Sequence, residues 1–511
     1  MRALISVYDK TGLVPFARGL SDLGFGLVAS GGTATELEDA GLAVTRVESV
    51  TAFPELLGGR VKTLHPRIHA GILARRGFEE DVAELAEQAI EPFHLVCVNL
   101  YPFELVAGRP DAEEEELIEM IDVGGPSMLR AAAKNHAYVT PVCRPEDYDE
   151  VLAELRAHAG ETSPDTRRRL AGIAFATTAA YDAAIARWFQ GHEDFSATFT
   201  PAFDKVLDLA YGENPHQRAA YYAERGSRTH LLSRVEQLRG KPLSFNNLND
   251  LSAASLLARE FEEPACVIVK HANPCGVAVA DSIDDAYAKA LAADPVSAYG
   301  GVVVLNRAVT AALGEAVAQQ FVEVLFAPGY DEQAMEALAR KASVRILNDT
   351  EHRAIVETER DYRRVLGGLL VQERDWEVAG HEGTDIVCGE LSAAQWDDLL
   401  FAWRVVKHVA SNAIVLAKGG QTIGIGAGQM SRVDAVRIAI EKARELGHEL
   451  EGAALASDAF FPFPDGPQLA LEAGVTAVIQ PGGSKRDGEV IEAVSAAGAA
   501  MVFTHRRHFR H

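Results

Sequence analysis

Two groups of residues in this sequence have the types and spacing to do chemistry. The first is Lys270-His271, which follows the apolar run Val267-Ile268-Val269 and precedes Asn273-Pro274 and Gly276. An apolar, β-branched run bounded by turn residues predicts a buried strand. Ligands of open α/β sheets sit just beyond the carboxyl ends of such strands, so two adjacent titratable side chains there are placed to exchange protons with a bound molecule. The second group is the loop Gly58-Gly59-Arg60-Val61-Lys62-Thr63-Leu64-His65-Pro66-Arg67-Ile68-His69, which carries Arg60, Lys62, His65, Arg67 and His69 and no acid. It lies between two glycine-rich turns, Ser30-Gly31-Gly32-Thr33 and Asp122-Val123-Gly124-Gly125-Pro126. Each turn is expected to open a helix whose free amides and positive dipole end attract an anion. Two such turns and a basic loop point to a phosphorylated ligand. Pro274-Cys275 beside His271 supplies half of a zinc-deaminase pattern, but Asn273 and Ala278 stand where that pattern needs Glu and a second Cys. Metal-assisted deamination is therefore rejected, and no metal site is expected.

The scaffold for these groups can be read from hydrophobic patterning. Residues 1 to about 140 alternate candidate strands (Ala3–Val7, Gly26–Ala29, His94–Leu100, Ala137–Val142) with helical stretches such as Gly12–Leu23 and Thr33–Ala40. Strand and helix in alternation predict a small doubly wound domain on a parallel sheet. A long amphipathic helix is expected over Pro164–Gln190, with Ser163 as its N-cap. The stretch from Gly191 to about Lys205 is polar and aperiodic, which places a boundary between domains 1–195 and 196–511. In the second part Val269-Lys270-His271 recurs as Val406-Lys407-His408. Likewise Ala290-Leu291-Ala292-Ala293-Asp294 recurs as Ala454-Leu455-Ala456-Ser457-Asp458. The matches predict two related α/β halves.

Bulk properties narrow the classes. At 511 residues the chain is too long for one core. It is 48% hydrophobic and 24% charged, as ordinary globular proteins are. No apolar run reaches the length of a membrane span. The net charge of −24 argues against a nucleic-acid surface and requires local basic groups for any anionic substrate. Cys97, Cys143, Cys266, Cys275 and Cys388 are scattered, mostly inside apolar runs, and read as reduced thiols in a cytoplasm.

The motifs together carry a resemblance. Arg60-Val61-Lys62-Thr63-Leu64-His65-Pro66, Asn99-Leu100-Tyr101-Pro102-Phe103, Ile121–Gly125 and Ala132-Ala133-Lys134-Asn135-His136 look like the cyclohydrolase half of a two-activity family. Tyr211-Gly212-Glu213-Asn214-Pro215-His216-Gln217, the Lys270-His271 stretch, Asp294–Gly301, Ile423–Arg432 and Ser457–Pro464 look like its formyltransferase half. Over essentially its whole length the chain resembles the bifunctional purine-biosynthesis enzymes that join AICAR formyltransferase to IMP cyclohydrolase. The resemblance implies formyl transfer from 10-formyltetrahydrofolate to AICAR, and closure of the product, FAICAR, to IMP with loss of water. It also implies a methylglyoxal-synthase-like first domain, a duplicated, zinc-free deaminase-like second part and a homodimer, and it leaves a monovalent cation open. Carried over by residue, Lys270, His271 and Asn412 would perform formyl transfer. Tyr211, Asn247, Gly300, Glu323, Arg507 and Phe509 would hold AICAR, and Tyr299, Arg432, Phe460, Pro462 and Asp465 would line the folate pocket. For ring closure the resemblance implies Lys62, Tyr101, Asp122 and Lys134 as catalytic groups, with Ser6, Lys10, Ser30, Gly32, Thr33, Arg60 and Thr63 on the substrate.

One position departs from the family pattern. An Arg normally precedes the Tyr-Gly motif and helps hold the AICAR phosphate, and here that residue is Ala210. One alternative follows, a cyclohydrolase with a weakened formyltransferase half; a second, a nucleotide sensor, comes from the resemblance of the first domain to methylglyoxal-synthase-like domains, which can serve regulation. A sensor would need the phosphate turns but not Lys62, Asp122, Lys134 and the Lys-His pair together, and all are present. Because successive side chains of a strand point to opposite faces, Lys270 and His271 can share a substrate only if extended geometry breaks at or just before His271. Asn273-Pro274 is expected to fix the new direction.

Overall fold

A computed structural model describes the chain apart from residues 110, 192–194, 226–230, 234, 350–358 and 378–379, so part of the aperiodic stretch after Gly191 lies outside the described residues. The chain divides into two compact units, Met1–Asp204 with Tyr222–Arg228, and Lys205–Tyr221 with Thr229–His511.

The first unit is built on a five-stranded parallel sheet. Its strands are β1 (Arg2–Ser6), β2 (Gly26–Ala29), β3 (Val44–Arg46), β4 (Leu95–Val98) and β5 (Thr140–Val142), in the order β3-β2-β1-β4-β5. Chain direction across the sheet reverses between β1 and β4, and a doubly wound sheet opens its ligand crevice at the carboxyl ends of the strands flanking such a point. β3 was not expected, because its three residues form a half-exposed edge with no apolar run. The expected strand at Ala137–Val142 shortens because Tyr138 donates to Asn135 O at 2.9 Å and closes a turn there. The helix Pro164–Gln190 forms as expected, its first turn capped by Ser163 Oγ accepting from Thr166 N at 3.1 Å. It buries Leu170, Ala174, Thr178 and Tyr181, one residue per turn along a single stripe.

The boundary between the units runs through a two-stranded ribbon, β6 (Phe203–Leu209) with β7 (Ala219–Glu224). A six-stranded sheet follows, from β8 (Val235–Arg239), β9 (Ala265–Lys270), β10 (Asn273–Val279), β11 (Gly301–Leu305), β12 (Val322–Ala327) and β13 (Arg345–Asp349), ordered β10-β9-β11-β12-β13-β8. After a second ribbon, β14 (Arg360–Val365) with β15 (Gly368–Glu373), comes another sheet of six. Its strands are β16 (Asp385–Cys388), β17 (Ile414–Ala417), β18 (Thr422–Gly426), β19 (Ala454–Ser457), β20 (Ala477–Gln480) and β21 (Ala500–Phe503), ordered β18-β17-β19-β20-β21-β16. The two orders are the same, strand for strand.

The duplication is therefore real, but the short matches that suggested it are not equivalent positions. Val269-Lys270 ends a strand, whereas Val406 ends the helix Ala393–Val406. Ala290–Ala293 is helical, whereas Ala454–Ser457 is β19. The true register is a shift of 148 positions, which carries Ser244 to Ser392, Asn247 to Gln395, Asp250 to Asp398 and His271-Ala272 to Gly419-Gly420. Ser244 and Ser392 each form a capping box with the residue three further on, and each opens a helix of 14 residues, Phe245–Ala258 and Ala393–Val406. Alternation along β9 turns Cys266 and Ile268 to one core and Val267 and Val269 to another. That second core is shared with Val415 and Ala417 of β17 and with Ala454 and Ala456 of β19. The sheets also join at their edges, through the Ala278–Gln421 bridge and Val277 N donating to Thr422 Oγ1 at 3.0 Å.

Candidate active sites

In the first unit, Ser6 ends β1 and its hydroxyl meets that of Ser30 at 3.1 Å. Thr33 Oγ1 accepts from Val7 N at 3.1 Å and donates to Val7 O at 3.0 Å, tying the first glycine turn to the residue that follows β1. Lys10 Nζ donates to Val7 O at 3.2 Å and lies 4.0 Å from where a Cβ on Gly32 would stand. Gly31 has φ 47°, and a side chain there would collide with Lys62 Nζ. A Cβ on Gly124 would stand 2.7 Å from Thr63 Oγ1. The basic loop therefore threads between the N-termini of helices Gly31–Asp39 and Gly124–Lys134. Its charge is balanced from outside the loop, contrary to the unopposed basicity read from sequence: Lys62 pairs with Glu55 at 3.1 Å, and Arg60 pairs with Glu119.

Asp122 sits at the mouth of the same helix. Its Oδ1 accepts from Gly125 N at 2.8 Å, and its own amide donates at 2.8 Å to Tyr181 OH, which in turn donates to Met120 O at 2.7 Å. Burial raises the Asp122 carboxyl above its usual range, against the lowering effect of the Gly125 and Tyr101 amides. Burial likewise raises the Tyr101 hydroxyl, helped by the charges of Asp122 and Glu55. Lys62, Thr63, Tyr101 and Asp122 thus share one neighbourhood. Lys134 ends the helix that Gly124 begins, about 15 Å away along the axis.

In the second unit, β9 stops at Lys270 and pairs Lys270 with Asn273 across a two-residue hairpin turn. His271 and Ala272 both take left-handed backbone angles, φ 55° and 58°. The extended geometry breaks where expected, but Asn273-Pro274 begins β10 instead of forming the turn. A hairpin of this kind matches the strand twist and normally uses Asn-Gly or Gly-Gly, because L-residues cost about 1–2 kcal/mol each in that region. Asp250 holds it: Oδ2 accepts from His271 N at 3.3 Å and Oδ1 from Ala272 N at 2.7 Å. Lys270 Nζ donates to Tyr299 O at 2.8 Å, and the Tyr299 ring lies 5.1 Å from that of Phe321. Gly300 follows with φ 74°, where a Cβ would press on the Phe321 ring at 3.2 Å.

Around this hairpin two polar networks are arranged. Asn247 donates to Glu323 at 3.4 Å, and the buried Arg345 holds Glu323 at 2.8 Å. Tyr211 O accepts from Phe245 N at 3.1 Å at the start of the same helix, while Ala210 is exposed beside it. On the other side Asn273 Oδ1 accepts from Ala410 N at 2.9 Å, which brings the loop before β17 to the hairpin. In that loop Asn412 Nδ2 donates to Gln429 O at 2.9 Å, and its Oδ1 accepts from Arg432 at 2.7 Å. Arg432 also pairs with Asp458, and both side chains are almost fully buried, at 7% and 0% exposure. Arg432 therefore faces inward and fixes Asn412. Phe460 remains 38% exposed in the loop after β19, with Pro462 beyond it, and Asp465 opens the helix Asp465–Glu472. The carboxy-terminal segment is held in place: His508 is buried against Trp403 and donates its amide to Asp458 O at 3.0 Å. Arg507 and Phe509 flank it on the exposed side, with the guanidinium 4.6 Å from the ring centre.

Two family models match this chain. Residues 12–127 match an MGS-like domain, and residues 132–442 match the AICARFT/IMPCHase bienzyme. The chain belongs to the AICARFT/IMPCHase bienzyme family. A relative described as the bifunctional purine biosynthesis protein PurH of Magnetococcus marinus is 51% identical over 527 residues, covering 100% of this chain and 99% of its own. A solved structure described as the crystal structure of ForH is 42% identical, with 37% of this chain and 98% of that chain covered, at a TM-score of 0.34.

Set against the bienzyme motifs, sequence reasoning missed three residues that hold the sites together. Glu55 pairs with Lys62, Tyr181 holds the Asp122 backbone, and Asp250 holds the Lys-His hairpin. Tyr181 left a signal, since a tyrosine on a buried helical stripe needs a partner for its hydroxyl. Among the described residues no group of His, Cys, Asp and Glu is arranged to hold a metal ion, and no helix is long and apolar enough to cross a membrane.

Proposed function

We propose that this bienzyme transfers the formyl group of 10-formyltetrahydrofolate to AICAR in its second unit and closes FAICAR to IMP in its first, as part of purine biosynthesis. The observation that carries the reading is full-length kinship with the bienzyme family in a chain that also places His271 out of the strand beside Lys270. Appearance of IMP, followed by ultraviolet absorbance, from AICAR and 10-formyltetrahydrofolate is the expected result; absence of any product with correctly folded protein would refute it.

The amine of AICAR is a weak nucleophile, its lone pair delocalised into the ring and carboxamide. His271 removes its proton as the nitrogen attacks the formyl carbon. The resulting oxyanion is met by Lys270 and the Asn412 amide. When the carbon–nitrogen bond to folate breaks, the folate nitrogen takes up a proton, and Lys270 is placed to give one. In the first unit the carboxamide nitrogen attacks the formyl carbon and water leaves. Lys62 polarises the formyl oxygen and Asp122 accepts the amide proton, while the Ser30–Thr33 turn, Ser6 and Lys10 hold the phosphate. A homodimer and a cytoplasmic location belong to the same reading.

Ala210 favours a graded form of it, in which formyl transfer is kept with a raised KM for AICAR. Ala210→Arg is expected to lower that KM about tenfold with kcat kept, since one charge-assisted contact to phosphate contributes about 1–3 kcal/mol; an unchanged KM would show that the lost arginine is irrelevant here. Tyr181→Phe leaves the Asp122 amide and Met120 carbonyl without their partner. The cyclohydrolase kcat is expected to fall about tenfold, because a buried amide left unpaired costs about 1–3 kcal/mol; a rate equal to wild type would remove Tyr181 from the site.

A further inference from the structure

We propose that Asp250 is a positioning residue for His271, aiming the imidazole through the backbone of the turn. The inference rests on reading His271 as the formyl-transfer base. Its force comes from the duplication, which provides a second copy of the same device without the chemistry. In the second half the turn between β17 and β18 is Gly419-Gly420, with φ 62° and 67°. Asp398, the counterpart of Asp250 on the counterpart helix, accepts from Gly419 N and Gly420 N at 2.9 Å each. In both halves the carboxylate lies 21 residues before the first turn amide it holds.

The copies differ in what the carboxylate must do. Glycine enters the left-handed region without a steric penalty, so Asp398 only satisfies two amides. His271 and Ala272 are L-residues that relax out of that region unless something external holds them. The direction of the His271 Cα–Cβ bond is set by those same backbone angles. Loss of the Asp250 carboxylate therefore lets the His271 Cα–Cβ bond, and the imidazole with it, change direction. Ala272, which has no reacting group, shares the strain because a hairpin of this length needs both residues left-handed.

The test compares twins. Asp250→Ala and Asp398→Ala are made in the full chain, with Asp250→Asn and His271→Ala, and each is assayed for formyl-transfer kcat and KM, cyclohydrolase rate and Tm. Both alanine variants remove two amide contacts, so similar losses of Tm are expected, with the far-ultraviolet circular dichroism of the full chain as the check on folding and the cyclohydrolase rate of the first unit unchanged. Only Asp250→Ala is expected to lower formyl-transfer kcat, about 100-fold for a misplaced reacting group, with KM for AICAR within about 3-fold. Asp250→Asn keeps a carbonyl for the shorter contact to Ala272 N and is expected to recover about tenfold of the loss. Equal kcat in the two twins, or wild-type kcat in Asp250→Ala, overturns the proposal. If Asp250→Ala does not fold, Asp250→Asn decides: a lowered kcat with KM kept supports the proposal, and wild-type kcat overturns it. His271→Ala that still transfers formyl groups would instead remove the underlying reading.

Discussion

His271→Ala is expected to lower formyl transfer by about 10²- to 10⁴-fold, the usual contribution of a positioned general base, while ring closure by the same chain continues at its normal rate. Alanine is a clean substitution at this position. Ala272 already holds the same left-handed conformation with the same carboxylate partner, so the turn itself can form with alanine at both positions. The imidazole is lost and little else changes. KM for AICAR is expected to stay near wild type, because the contacts read as binding the nucleotide lie on Tyr211, Asn247, Glu323, Arg507 and Phe509. The cyclohydrolase assay reports on the first unit in the same sample, and the Tm and circular dichroism of the full chain report on the second. Comparable kcat values for His271→Ala and wild type would exclude the histidine as the base and leave Lys270 as the residue to examine.

Asp122→Asn is expected to have an effect of similar size, about 10²- to 10⁴-fold, on ring closure only. Asparagine keeps an oxygen for the Gly125 amide, so the helix entry is preserved while proton acceptance is lost. The pH dependence follows from burial. The carboxyl of Asp122 is raised above the ordinary aspartate value of about 3.9, and a base works only when ionised. Ring closure should therefore be present above the raised pKa and decline as pH falls through it, placing the acid limb of kcat/KM above the range of an exposed aspartate. Stability runs the other way. A carboxyl whose folded pKa is raised favours the fold most at low pH and loses that contribution as pH rises through the folded value. A falling rate on acidification is thus not explained by Asp122 destabilising the fold. An acid limb at the ordinary aspartate position, or one unmoved in Asp122→Asn, would count against this assignment.

Much of the scaffold was legible because periodicity and capping act locally. The Pro164–Gln190 helix announced itself through Ser163, Pro164 and its buried stripe, and the β1 and β2 strands through short apolar runs. The two glycine turns that open helices were legible for the same reason, since a strand, two glycines and a helix start lie within a few residues. What escaped was non-local. The basic loop looked unopposed because Glu119 lies 59 residues from Arg60. The turn is expected at Asn273-Pro274 because that pair has turn chemistry in its own right, whereas His271-Ala272 turns as a two-residue hairpin whose amides Asp250 accepts from a distant helix. The repeat was sensed from identical tripeptides, yet the positions that correspond share a role and not a residue. His271-Ala272 and Gly419-Gly420 satisfy the same backbone requirement by different means.

The core shared by the two sheets of the second unit decides how that unit could be split into pieces. Val267, Val269, Val302 and Val304 pack in one cluster with Phe401, Trp403, Val415 and Ile479. A gene divided between β15 and β16 would give two fragments, each presenting half of this cluster to water. Each fragment is expected to be less stable alone than in the pair, and together they would re-form the seam, with the β10–β18 edge as its register mark. The duplicated architecture thus describes a candidate for a split enzyme whose formyl transfer returns only on reassembly.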